Sequence, residues 1–134
     1  MKIKDKIQHW ADNLKLLSGT DRLEYLIELG RKLPSLEDKY KIDTFKIHGC
    51  ASNLWLVPKF EKKALTLTAD AEAFITKGTA YIVLDVLNGE SYANIKKITR
   101  EDFAPLGMAE LLSVQRQNGV GLLITTIKKY ANSR

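Results

Sequence analysis

Residues 45–68 read FKIHGCASNLWLVPKFEKKALTLT, and this stretch decides the fold. Apolar and polar residues alternate in residues 45–48 and again in residues 65–68, with the period of two that side chains follow along a β-strand. Another apolar segment, residues 54–57, lies between them. Three short segments so close together in the sequence predict a small antiparallel sheet of three strands.

The segments on both sides of this stretch follow the helical period instead. Apolar residues recur at steps of three and four in residues 7–17, 23–30, 74–86 and 120–131. We expect Gly19 to end the first helix and Asp21 to cap the second. Helices before and after a small sheet are typical of the α+β class. We therefore predict one domain over residues 1–134, with the N-terminal and C-terminal helices packed mainly on one face of the sheet.

The charge of the chain gives little indication of a nucleic-acid partner. The formal net charge is +5, from 21 basic and 16 acidic residues that are spread along the chain. Two small basic clusters stand out, one at Lys59, Lys62 and Lys63 and the other at Lys96, Lys97 and Arg100. Because neither is interleaved with the aromatic residues that a base-stacking surface uses, we expect solvated faces and no nucleic-acid partner.

The sequence also predicts no association with a membrane. No apolar run approaches the roughly 20 residues that a membrane helix needs. The first six residues, MKIKDK, are charged and no apolar stretch follows them, unlike a secretory signal. A single unpaired cysteine without an export signal predicts the reducing environment of the cytoplasm.

Cys50 is the only cysteine of the chain. It cannot close an intramolecular disulfide, and it cannot complete a cysteine-rich zinc or iron–sulfur ligand set. Two interpretations remain, a small apolar filler of the core or a nucleophile presented on a loop. Gly49 and Ser52 flank it between two predicted strands, which favours the loop. The residues alone leave both interpretations open.

Several kinds of cysteine chemistry do not fit the neighbouring residues. A dithiol redox site needs a second cysteine where Asn53 stands, and a phosphatase-type loop needs an arginine where Leu56 stands. A cysteine hydrolase needs a histidine as base, and His48 shares a strand face with Cys50, which is possible but unspecific. With one thiol and two separated histidines, we expect no metal and no cofactor bound by the chain itself.

A thiol that carries a sulfur atom fits better. Sulfur transfer needs one accessible thiolate, whereas a free cysteine thiol has a pKa of roughly 8.5 and is mostly protonated at neutral pH. Backbone N–H groups of the turn at residues 49–53, or a nearby cation, would stabilise the thiolate. His48 and Arg116 are the candidate cations, although the sequence does not place Arg116 near Cys50.

Four ordered motifs resemble one known family. The loop Gly49-Cys50-x-Ser52-x-x-Trp55 resembles the cysteine loop of the SufE sulfur-acceptor proteins. Three further segments are similar to the family's N-terminal helix end, to its acidic segment with the following central helix, and to its C-terminal block. They are Leu29-Gly30 with Leu33-Pro34, residues 70–78, and Leu106-Gly107 with residues 112–119.

This resemblance implies a function. SufE-like proteins accept a sulfane sulfur from the persulfide of a pyridoxal-phosphate cysteine desulfurase of the SufS type and stimulate that enzyme. They then pass the sulfur to the cluster scaffold of the SUF pathway. The chain is then an accessory transfer protein rather than a self-sufficient enzyme, and we expect a monomer or a weak homodimer.

The resemblance also assigns roles to residues. Cys50 is the implied persulfide carrier, and Arg116 matches an arginine of the C-terminal block. The supporting residues are expected to be His48, Gly49, Ser52 and Arg116. The residues expected to contact the desulfurase are Ala51, Asn53 and Glu72. Two of these depart from the family, since Ala51 stands where Gln is common and Ala71-Glu72-Ala73 where Ser-Asp-Ala is common.

Two alternatives stay open. The acceptor could serve another desulfurase that feeds the thiolation of tRNA or of cofactors. Alternatively, the chain is a non-catalytic interaction module in which Cys50 is structural. Alkylation separates the classes, because a reactive thiol favours the carrier and an inert one the module.

Overall fold

Helices pack against a small hairpin in the computed structural model, which describes residues 1–50 and 52–134. The helices in this part of the chain are α1 (Ile3–Lys15), α2 (Gly19–Lys32), α3 (Phe74–Leu87), α4 (Tyr92–Lys96), α5 (Met108–Leu111) and α6 (Val114–Asn132). The strands are β1 (Leu54–Phe60) and β2 (Leu65–Ala71). Short 3-10 turns cover Asp38–Tyr40, Asp43–Phe45 and Arg100–Leu106.

Serine residues mark the starts of three helices. The hydroxyls of Ser18, Ser91 and Ser113 accept hydrogen bonds from backbone N–H groups in the first turns of α2, α4 and α6. This is the usual way to satisfy an N–H group that has no partner inside the helix. The expectation that Gly19 ends a helix is wrong, because Gly19 is the first residue of α2 and Ser18, not Asp21, caps it.

The sheet has two strands, so the prediction of three is wrong. β1 and β2 pair antiparallel from Leu54↔Ala71 to Phe60↔Leu65. The first predicted strand contributes a single bridge, Lys46↔Trp55, together with a hydrogen bond from the Ile47 N–H to the Leu54 carbonyl. A longer strand is prevented on both sides, since a 3-10 turn ends at Phe45 and Gly49 turns the chain with a φ of +95°.

One face of the hairpin belongs to the core. Leu54 and Leu56 of β1 and the paired Ala69 and Ala71 of β2 are buried, and α3 and α6 contact the strands. Trp55 and Val57, which point to the other face, are only half-buried. The helices therefore cover the apolar face of the hairpin. No helix in the described residues is both long and apolar enough to cross a membrane.

Helices α2 and α3 pack through two glycines. A Cβ atom on Gly78 would lie 2.6 Å from the carbonyl carbon of Leu26 and closer still to its oxygen. A Cβ on Gly30 would similarly meet the backbone of α3 and lie 3.0 Å from Lys77 Cβ. The two helix backbones therefore approach more closely than any side chain at these positions allows.

The buried carboxylate of Asp70 fixes the segment that leads to the cysteine loop. It accepts hydrogen bonds from the N–H groups of Leu36 (3.1 Å) and Ala71 (2.8 Å), and the ammonium groups of Lys41 and Lys77 lie at 3.3 and 3.6 Å. Burial alone would raise the pKa of this carboxyl, but the hydrogen bonds and the two cations outweigh burial and hold its pKa below the ordinary value.

We expect Asp70→Asn to lower the free energy of unfolding by about 2 to 3 kcal/mol. The substitution removes the negative charge that balances two lysines, and it also removes one of the two oxygen atoms that accept hydrogen bonds. The contribution of Asp70 is present above the pKa of the unfolded carboxyl, about 3.9, and is lost as the pH falls through the lower pKa of the folded state. Urea unfolding at pH 7 and at pH 3 checks this, and the difference between the two proteins should be smaller at pH 3. An equal difference at both pH values would contradict the role of the charge.

Candidate functional site

The loop that carries Cys50 rests on the first half of helix α6. A Cβ atom placed on Gly119 would lie 3.4 Å from Cys50 Sγ, and one placed on Gly49 would lie 3.1 Å from Cδ1 of Leu122. Cys50 is half-buried and packs against the hydrophobic core. Gly119 is itself buried. At 3.4 Å a Cβ would be in ordinary van der Waals contact with the sulfur, so the thiol lies directly against Gly119.

Burial raises the pKa of the Cys50 thiol above its ordinary value. The cause is desolvation, which disfavours the charged thiolate. The thiol in this arrangement is therefore protonated at neutral pH and is a weak nucleophile. Exposure to solvent would bring its pKa back toward the ordinary value and increase the thiolate fraction.

The exit of the loop is fixed by Asn53 and Glu72. The N–H of Glu72 donates to the Asn53 carbonyl at 3.1 Å, and the Asn53 side-chain amide donates to the Glu72 carboxylate. These two residues are separate in the sequence, and the pairing of β1 with β2 brings them together. The end of the loop is thereby tied to the turn that precedes α3.

Arg116 lies one helical turn before Gly119 on the same face of α6, since residues three apart are neighbours on a helix. Its Nη1 donates to the hydroxyl of Thr76 at 3.0 Å, so the guanidinium is held against the first turn of α3. The sequence did not place Arg116 near Cys50, whereas the structure places it one turn from the glycine under the thiol. Its observed partner is Thr76 and not the sulfur atom.

His48 and the remaining loop residues differ in their surroundings. The His48 side chain is 65% exposed, and its Nε2 lies 3.5 Å from the carboxylate of Asp43. The imidazole thus pairs with a surface carboxylate, which gives no support to a role as general base for Cys50. Ser52 is half-buried. Ala51, which we expected to contact a partner, lies outside the described residues.

Three residues of the site were not among the predicted site residues. Gly119 and Leu122 form the surface under the loop, and Thr76 holds Arg116. Gly119 belongs to the C-terminal motif of the sequence. No local pattern indicates that it contacts the cysteine loop, because the two segments are far apart in the sequence. Within the described ranges, no group of three or more His, Cys, Asp or Glu side chains is arranged to hold a metal ion.

The fold and the loop together define a class of protein, a small α+β domain that holds one thiol in a sheltered loop against a helix. The family described as "SufE: Fe-S metabolism associated domain" matches residues 8–131. An uncharacterized SufE-like protein of Rhizobium meliloti (strain 1021) is 37% identical over 119 residues, which are 85% of this chain and 85% of that protein. The chain therefore belongs to the SufE family, which is associated with Fe–S metabolism.

Two further similarities extend this result. The cysteine desulfuration protein SufE of Plasmodium falciparum is 30% identical over 115 residues, which cover 82% of this chain and 46% of that longer protein. The solution structure of a hypothetical protein from Thermus thermophilus has a TM-score of 0.78, covering 96% of this chain and 94% of that chain. At 18% identity this last similarity shows the fold alone.

Proposed function

We propose that this protein is a sulfur acceptor that takes the persulfide sulfur of a SufS-type, pyridoxal-phosphate cysteine desulfurase onto Cys50. In doing so it stimulates that enzyme, and it then passes the sulfur to an iron–sulfur cluster scaffold of the SUF type, in the cytoplasm. The observation that carries the proposal is the single thiol of the chain, half-buried in a loop over Gly119. Membership of the SufE family supports the assignment.

The transfer needs one nucleophile and no change in oxidation state overall. The Cys50 thiol loses its proton, and its thiolate attacks the terminal sulfur of the enzyme persulfide. The new sulfur–sulfur bond forms at Cys50 as the old one breaks, and the enzyme cysteine leaves as a thiolate. Cys50 then carries the persulfide, and the desulfurase is free for another turnover.

The sheltered thiol suits a carrier, because an exposed persulfide is open to attack by other thiols. Packing against α6 limits access to the sulfur, and the burial that comes with it raises the pKa of the thiol and so lowers the fraction present as thiolate. Gly49 has a φ of +95°, where only glycine is free of strain, and this position provides a pivot at the start of the loop. We propose that the loop opens when the desulfurase docks, by contacts made only with the open form.

Neighbouring residues have supporting roles in this proposal. Arg116, held by Thr76 one turn from Gly119, is the cation that stabilises the thiolate and the persulfide as the loop moves. Asn53 and Glu72 keep the exit of the loop fixed, so that opening is confined to the residues before it. Both also lie beside the loop, where the desulfurase would contact them.

The direct test is the mass of the protein after incubation with a cysteine desulfurase and cysteine. We expect intact mass spectrometry to show one added sulfur atom that a reducing thiol removes, and peptide mapping to locate it at Cys50. Protein incubated with the desulfurase but without cysteine is the control. An unchanged mass, with desulfurase turnover unaffected by the added protein, would contradict the proposal.

We expect Cys50 to react slowly with a bulky alkylating reagent in the free protein and faster when the desulfurase is present. The alkylation rate should rise with pH around a midpoint above that of a free thiol, because burial raises the pKa of Cys50. The rates are measured with a desulfurase whose active-site cysteine is substituted, so that no sulfur is transferred.

A variant of the surface under the loop gives a control for this measurement. Gly119→Val adds two methyl groups to a Cβ that would already touch the Cys50 sulfur, so it should displace the loop and accelerate alkylation without the partner. Denatured protein gives the rate of the fully exposed thiol. Fast alkylation of the free protein, equal to that in the complex, would show a permanently exposed thiol and exclude the gated loop.

A further inference from the structure

Arg116 carries a positive charge that the described part of the chain does not balance. The residue is half-buried, and in residues 1–50 and 52–134 the observed partner of its guanidinium is the Thr76 hydroxyl, to which Nη1 donates at 3.0 Å. This hydroxyl is neutral, and no carboxylate of these residues forms an ion pair with the guanidinium. Removing a charge from water without an opposite charge costs free energy. The guanidinium is therefore available to an anion that forms beside it.

The other charged groups around the cysteine loop already have charged or polar partners. The ionisable side chains at the entry of the loop, at its exit and on the first half of α6 belong to His48, Glu72 and Arg116. The His48 imidazole lies beside the Asp43 carboxylate, and the Glu72 carboxylate accepts a hydrogen bond from Asn53. Of these three described groups, Arg116 is the cation that can respond to a negative charge on the sulfur.

The Cys50 sulfur lies within reach of the Arg116 side chain. Residues three apart on a helix have Cβ atoms about 5 to 6 Å apart, and a Cβ on Gly119 would lie 3.4 Å from Cys50 Sγ. The sulfur is then at most about 9 Å from the Cβ of Arg116. An extended arginine side chain covers most of this distance and leaves a hydrogen-bonding separation. The guanidinium can thus bind either the Thr76 hydroxyl or a thiolate at Cys50, and the structure shows it at the hydroxyl.

Thr76 is fixed by the packing of α3 and not by the cysteine loop. It lies in the first turn of α3, and its carbonyl accepts a hydrogen bond from the Thr79 hydroxyl at 2.9 Å. Two residues further on, Gly78 packs directly against the Leu26 backbone of α2. The hydroxyl that holds Arg116 is therefore anchored to the core, whereas the thiol is carried by the loop.

We infer that Thr76 is a positioning residue, which holds the Arg116 guanidinium away from Cys50 while the thiol is sheltered and releases it to the sulfur when a thiolate or persulfide forms there. This inference rests on the proposed function. In the sheltered state burial raises the pKa of the thiol, and no cation among the described residues lowers that pKa. A negative charge on the sulfur then competes with the neutral hydroxyl for the guanidinium. The sulfur anion is favoured in this competition, because hydrogen bonds to ionised acceptors are roughly twice as strong as those between neutral groups.

The pH dependence of Cys50 alkylation by iodoacetamide, measured in the free protein, tests this inference. Thr76→Val keeps the shape of the side chain but removes the hydroxyl, so it frees Arg116. An opposite charge close to an acidic group lowers its pKa, and we expect the midpoint of the alkylation profile to fall by about 1 unit. The rate at pH 7 should rise about 3-fold rather than about 10-fold, because a thiolate of lower pKa is a weaker nucleophile. Thr76→Ser, which keeps the hydroxyl, should retain the wild-type midpoint.

Two controls separate this effect from a general loosening of the loop. Combining Thr76→Val with Arg116→Met should restore the wild-type midpoint, because no guanidinium is left to approach the sulfur. Thr66→Val removes a threonine hydroxyl near the other end of the hairpin and should leave the midpoint unchanged. A thermal melt checks that each variant is folded, and Thr76→Ala provides a second variant without the hydroxyl.

The outcomes distinguish this inference from the proposed function. An unchanged midpoint in Thr76→Val and Thr76→Ala, or a shift that persists when Arg116→Met is added, would overturn the positioning role. These measurements use no desulfurase, so they do not depend on sulfur transfer. No sulfur on Cys50 of the wild-type protein in the mass experiment would instead overturn the proposed function.

Discussion

Cys50→Ser is expected to abolish sulfur acceptance and the stimulation of the desulfurase while leaving the fold intact. A serine hydroxyl is similar in size to the thiol, but it does not attack a persulfide under these conditions and cannot hold the transferred sulfur. The side chain is half-buried over Gly119, so the more polar hydroxyl should cost about 1 kcal/mol of stability or less. Because the variant stays folded but has no thiol to accept sulfur, the loss of activity should be complete at every protein concentration.

The measurement is sulfide release by the desulfurase, together with intact mass and a thermal melt of the variant. Ser35→Ala is a matched control, because it removes an exposed hydroxyl outside the cysteine loop and leaves the thiol in place. We expect it to retain sulfur acceptance. Full stimulation by the serine variant would show that the protein activates its partner without carrying sulfur, and the carrier role would then be rejected.

Local patterns in the sequence were enough for most of the fold. The helical period in residues 7–17, 23–30, 74–86 and 120–131 predicts α1, α2, α3 and α6, although α6 begins earlier, at Val114. The prediction of a strand in residues 45–48 was wrong for a physical reason. Alternation in residues 45–48 describes which side chains are apolar, but backbone pairing there ends at one bridge because of the turn at Gly49.

The sequence singles out some residues of the candidate site and not others. The loop motif singles out Cys50, and the structure pairs Asn53 with Glu72, two residues assigned to partner contact. The surface under the thiol could not be predicted, because the contact of Gly119 with Cys50 is set by how α6 packs on the hairpin. The role of Asp70 was missed for the same reason, since its partners come from three different segments.

Gly78→Ala is expected to destabilise the protein by about 3 kcal/mol or more. Adding atoms to a well-packed core usually costs about 1 to 3 kcal/mol, and here the new methyl group meets the Leu26 backbone, which cannot move aside as a side chain does. The helices α2 and α3 would have to separate along their contact. Against a total stability of about 5 to 15 kcal/mol, a loss of this size leaves a substantial unfolded fraction on mild heating.

Thermal and urea unfolding of Gly78→Ala and Gly19→Ala provide the matched comparison. Gly19 is also a helical glycine of this helix pair, but a Cβ there meets no atom within 4 Å. The second substitution should therefore stabilise the protein by about 0.5 to 1 kcal/mol, through the lower entropy of the unfolded chain. Equal effects of the two substitutions would mean that the close approach of α2 and α3 does not limit stability. If instead they differ as expected, the first turn of α3, which holds Arg116 through Thr76, is positioned by a contact that only glycine permits.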